Sequence, residues 1–114
     1  MKQQYIGGRW KYAASFTSSY SNLIYDMIIT NFDKNTQSIK FTLDEIKELL
    51  GIESGTYAIY SNFKRKVLSI AVNEINLKAD LIIDLQEYKV SRKVVAIEFV
   101  FRKVRKFVAQ RDIY

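Results

Sequence analysis

The stretch YSNFKRKVLSIAVNEINLKADL, residues 60–81, decides the fold. Ser61 is placed to cap a helix that runs to about residue 77. Turned at about 100° per residue from Phe63, the side chains of Asn62, Arg65, Lys66, Ser69, Asn73 and Asn76 fall on one narrow polar stripe. Phe63, Val67, Leu68, Ile70, Ala71 and Ile75 fill the wide remaining arc. Three consecutive cations, Lys64, Arg65 and Lys66, stand in the first turns, where the helix macrodipole is already positive. An anion from outside the chain would resolve that conflict.

Upstream, RWKYAASF (9–16) alternates like a strand, with Trp10, Tyr12, Ala14 and Phe16 on one face. Core packing suits these aromatics and Tyr20 better than a base-stacking platform. Ser18 and Ser19 can cap a first helix over about 18–32, with Tyr20, Leu23, Ile24, Met27 and Ile28 as its apolar stripe. A short extended piece at 39–42 leads into a second helix over 43–50. Thr42 and Glu45 form its capping box, Leu43, Ile46, Leu49 and Leu50 its apolar stripe, and Gly51 its left-handed end. Downstream, alternation predicts two strands over about 80–88 and 93–102, joined as a hairpin through residues 89–91, with Val95, Ile97, Phe99 and Phe101 inward. This order reads as an α+β fold, a winged helix. The second and third helices form a helix-turn-helix, the third suits a DNA major groove, and the hairpin is the wing.

Charge agrees with that reading. The 114 residues sum to +6, but residues 1–63 are neutral, and the whole excess lies in 64–114. Such an asymmetry points to a polyanionic partner. There is no cysteine or histidine, so disulfides, thiolate chemistry and the usual zinc and imidazole chemistry are excluded. Asp44 and Glu48 lie beside the capping box on an ordinary helix surface, and neither they nor the pair Asp80 and Asp84 are assigned catalysis, so we expect a non-enzymatic protein with no metal or cofactor. With 48 % hydrophobic residues the chain suits one domain over 1–114, with 1–8 and 103–114 as tails. Without a signal peptide or an apolar run long enough to span a bilayer, the expectation is a cytoplasmic protein with no membrane partner.

Four segments carry a resemblance. FTSSYSNLIYDMI (16–28), FTLDEIKELLGI (41–52), YSNFKRKVLSIAVNEIN (60–76) and SRKVVAIEFVF (91–101) resemble motifs of the iteron-binding replication initiator (Rep) proteins of plasmids, in their C-terminal winged-helix domain. The similarity covers roughly 14–102, and the third segment is its most specific part. Two positions depart from it: Ile70 stands where the motif has proline, and Ser91 where it has the hairpin glycine. Losing the proline is expected to straighten the third helix. The resemblance implies sequence-specific binding of double-stranded DNA at origin repeats, with a second winged-helix domain and host replication proteins as further partners. A winged-helix transcriptional regulator, or a protein-interaction winged helix docking an acidic partner, would share the fold and charge.

The candidate DNA-binding residues are Asn62, Lys64, Arg65, Lys66, Ser69, Asn73, Lys89, Arg92 and Lys93. A guanidinium fork matches guanine O6 and N7, and a carboxamide matches adenine, so Arg65 and then Asn62 or Asn73 are the candidate base readers. Lys64, Lys66 and the wing cations Lys89, Arg92 and Lys93 suit phosphate. Lys103, Arg105, Lys106 and Arg111 in the tail fit either phosphate contact or solubilising charge. Glu74 and Asn76 read as structural, bonding to backbone near the helix end and the hairpin.

Overall fold

The computed structural model describes residues 16–33, 35–53 and 55–104. The expected strand over 9–16, except Phe16, and the tail cations Arg105, Lys106 and Arg111 lie outside the described residues. The elements are α1 (Ser19–Asn31), β1 (Ser38–Thr42), α2 (Leu43–Leu49), a helix α3 of three contiguous pieces (Tyr60–Phe63, Lys64–Leu68 and Ser69–Lys78), β2 (Leu81–Val90) and β3 (Lys93–Lys103). The strands form one antiparallel sheet in the order β1-β3-β2. Ile39 pairs with Phe99 and Phe41 with Ile97, so the short extended piece closes the sheet beside the wing. A single apolar cluster joins the helices to the inner face of the sheet, with Ile24, Ile28, Ile46, Phe63, Leu68, Ile75, Leu81, Ile97 and Phe99 at its centre.

The α1 cap forms as expected, with the Tyr20 amide donating to the Ser18 hydroxyl. Its buried face is rotated from the expected stripe. Ile24, Met27 and Ile28 of that stripe turn inward as expected, but Ser21 and Tyr25 join them and Leu23 is exposed. The cause is a carboxylate on another helix. Glu74 accepts from the Ser21 hydroxyl at 2.6 Å and from the Thr17 amide, the Thr17 hydroxyl and the Ser18 amide at 2.5–3.1 Å. It thereby supplies an anion at the start of α1 and fixes which face meets the core. Burial alone would raise the Glu74 carboxyl, but these hydrogen bonds outweigh it and bring it down to about 2.

In α2 the capping box is complete: the Glu45 amide donates to the Thr42 hydroxyl, and the Thr42 amide to the Glu45 carboxylate. Gly51 ends the helix at φ +73°, where a Cβ would be strained. Its amide reaches the Glu48 carbonyl and the Ile52 amide the Lys47 carbonyl, the two bonds of a Schellman motif. Here too the inner face differs from the expectation, because Leu49 is exposed and Lys47 is buried at 7 % exposure. Its ammonium donates to the Tyr57 carbonyl at 3.0 Å and lies 5.3 Å from the centre of the Phe63 ring. A buried cation is tolerated because that carbonyl and ring replace part of its hydration. It ties α2 to the connection leading into α3.

Three corrections concern α3. Its N-cap is Ile59 rather than Ser61, with no side-chain cap. It is not a straight α-helix, since Lys64–Leu68 form a π-turn in which the Ser69 amide reaches the Lys64 carbonyl, five residues back. Third, Ile70 leaves the apolar arc. The last two follow from the sequence's spacing. Phe63, Val67, Ala71 and Ile75 recur at every fourth residue. In an unbroken α-helix such a row drifts by about 40° per step, or roughly 120° over three steps. A π-turn uses one extra residue and takes back most of that drift. All four side chains are consequently 0 % exposed, whereas Ile70 turns outward to 48 % and Leu77 to 74 %. Burial of this row, not the presence of an amide at position 70, governs the winding.

The hairpin also differs in detail. Lys89 and Val90 remain in β2, and the turn consists of Ser91 and Arg92 alone, both at positive φ (51° and 69°), as a type I′ turn requires. Between the pairs Tyr88↔Ala96 and Lys89↔Val94 the register shifts, which leaves Val95 unopposed as a bulge. That extra residue flips the alternation. Val95 is therefore exposed, while Ile97, Phe99 and Phe101 face the core.

Candidate nucleic-acid interface

One face of α3 carries most of the candidate base readers. Arg65, Lys66, Ile70 and Asn73 are exposed on it, with Asn62 and Ser69 partly exposed between them. Asn76, expected on the same stripe, turns to the hairpin. Its carboxamide accepts from the Ile83 amide at 2.7 Å and donates to the Ile83 carbonyl at 3.0 Å, locking the end of α3 to the first strand of the wing. Arg65 donates to the Asn62 carboxamide oxygen at 3.0 Å. The guanidinium is thus tied to the helix through one of its five donors.

The N-terminal part of α3 and the wing enclose a cleft of about 390 Å³. Lys64 borders it on the helix side, and Lys89, Arg92 and Lys93 on the wing side. Across it, Lys64 pairs with Glu87 of β2 at 2.8 Å, and the Tyr60 hydroxyl donates to the same carboxylate oxygen at 2.7 Å. The hydrogen bonds from Lys64 and Tyr60 hold the Glu87 carboxyl below its usual range. Burial, and then the bond to Glu87, push the Tyr60 phenol well above its own. At neutral pH Tyr60 is thus a phenol and Glu87 a carboxylate, and the charge of Lys64 is largely met within the chain.

The other cations differ from it. Among the described residues the ion pairs are Lys64 with Glu87, Lys78 with Glu74 and Lys103 with Asp80. Lys66, Lys89, Arg92 and Lys93 belong to none of these, and all four are exposed. The fold therefore gathers Lys64 of the helix and three wing cations around one concave surface. Sequence reasoning missed two members. Glu87, the internal partner of Lys64, has no signal in the linear chain. Ile70 had one, in the four-residue row that forces the π-turn.

The model for the initiator Rep protein, WH2, matches residues 42–101, from the capping box of α2 to the end of the hairpin. The fold is also similar to that of a solved crystal structure, the Pi initiator protein in complex with iteron DNA. The TM-score is 0.65 at 24 % sequence identity, with 80 % of this chain and 40 % of that one covered. At that identity the likeness is one of fold, and this chain spans well under half of the Pi chain. No curated protein matches it by sequence. The family match takes in more than half of the 114 residues and every element from α2 onward, so the chain belongs to the initiator Rep protein WH2 family.

Proposed function

We propose that this chain is the C-terminal winged-helix module of a plasmid replication initiator, a non-enzymatic protein that binds double-stranded DNA sequence-specifically at origin repeats. One observation carries the reading: Lys64 of α3 and Lys89, Arg92 and Lys93 of the wing border one cleft, while Arg65, Lys66 and Asn73 of the same helix are exposed. Placed in a major groove, α3 presents Arg65, Asn62, Ser69 and Asn73 to base edges, while Lys66 and the wing cations take the flanking phosphates. The Pi initiator, of like fold, is held in its crystal structure on iteron DNA, and this supports the same class of ligand here. A second winged-helix domain and host replication proteins complete the proposed assembly, which works in the cytoplasm. Among the described residues no helix is long and apolar enough to cross a membrane.

The test is selection of duplexes from a randomised pool, followed by anisotropy titration of the winner and of a scrambled duplex at several salt concentrations. Four phosphate contacts predict a slope of log K against log salt of about −3.5 or steeper. A slope near zero, with no preference for the selected sequence, would refute the reading and favour a protein partner.

A further inference from the structure

Resting on the DNA-binding reading above, we infer that Ile70 reads the 5-methyl group of a thymine in the major groove and is a specificity-determining residue of α3. The observation is its place. The π-turn over Lys64–Leu68 rotates Ile70 to the outer face of α3, where it is 48 % exposed while the next residue, Ala71, is 0 % exposed. Its neighbours on that face are Lys66 one turn before, Ser69 beside it and Asn73 one turn after, none of them apolar.

A single exposed isoleucine needs no explanation in general. Here, however, it lies inside the surface that faces the bases. Burying it against base-edge donors and acceptors would strip them of water without replacing it. The one apolar feature that the major groove offers is the thymine methyl, and apolar side chains contact it in direct readout. Ser69 and Asn73 can satisfy the hydrogen-bonding edges of adjacent pairs while Ile70 covers the methyl.

The experiment alters the DNA first and the protein second. A duplex selected by the intact chain is resynthesised with deoxyuridine in place of thymidine, at all thymines together and then one at a time, and its affinity is measured by anisotropy. Removing the contacted methyl should weaken binding roughly fourfold, as expected for one buried methyl group, and a single thymine should account for the loss. Ile70→Ala should bind the thymine and uracil forms of that position equally, and the methyl should regain its effect in Ile70→Leu. Circular dichroism establishes that both variants are folded. Equal affinity of the intact chain for the uracil and thymine duplexes overturns the inference. So does an Ile70→Ala variant that keeps the thymine preference, or one that weakens every duplex alike. In these cases DNA binding itself still stands, whereas failure to select any duplex refutes the functional reading and this inference with it.

Discussion

Lys64 of α3 and Glu87 of β2 meet at 2.8 Å, so α3 and the wing are joined by an ion pair across the cleft they enclose. Lys64 is nearly half exposed, and a pair in that setting adds little to stability. Its consequence is electrostatic, since a carboxylate occupies ground that phosphate would otherwise approach. Glu87→Gln should therefore tighten duplex binding and steepen the salt slope by about one unit, as Lys64 becomes available to phosphate. Lys64→Ala alone should change the slope less than Lys93→Ala does. Anisotropy titrations over a salt series measure all three.

Glu74 makes the fold acid-sensitive. Its carboxyl is lowered from 4.5 to about 2 in the folded chain, so its stabilisation is fully present above about pH 4.5 and is lost as pH falls towards 2. Chemical denaturation across this window should show the loss, and Glu74→Gln should flatten that limb. At pH 7 the substitution should cost about 2 kcal/mol, because the Thr17, Ser18 and Ser21 donors lose a charged acceptor.

Arg92 places stability and binding in opposition. It occupies a left-handed conformation at φ 69°, which costs a residue with a Cβ roughly 1–2 kcal/mol. Arg92→Gly should raise the midpoint of thermal unfolding by relieving that strain. The same variant should bind cognate and scrambled duplexes more weakly by a similar factor, with a shallower salt slope. Ser91→Gly, at φ 51°, should stabilise the hairpin and leave the slope unchanged.

Arg65 and Lys93 should separate base reading from phosphate contact. Arg65→Ala is expected to lose about 1–3 kcal/mol on the selected duplex and to relax preference at one position. Lys93→Ala should weaken all duplexes alike and reduce the magnitude of the slope by about one unit. Both side chains are exposed, so circular dichroism should report intact folds. If Arg65→Ala leaves preference intact, base reading passes to Asn62, Ser69 or Asn73.

Lys47 tests the buried tie between α2 and the approach to α3. Lys47→Ala removes both its packing and its bond to the Tyr57 carbonyl, and should destabilise the domain by roughly 2 kcal/mol in a denaturant titration.

Local chemistry determined much of this protein from sequence. Capping groups act within one turn, so Ser18, Thr42 with Glu45, and Gly51 placed helix ends that the fold keeps. Period-two alternation located the hairpin, and the excess charge of the second half pointed to the wing and α3. Tertiary structure decided what depends on partners distant in the chain. Glu74, 53 residues from Ser21, chose the inner face of α1. Pairing across the hairpin set the bulge at Val95 and the two-residue turn. Glu87 took up the charge of Lys64. The π-turn arose because four side chains spaced by four residues had to reach a single core, and an α-helix, with 3.6 residues per turn, cannot keep them in line. The rotation that buried them is what turned Ile70 outward.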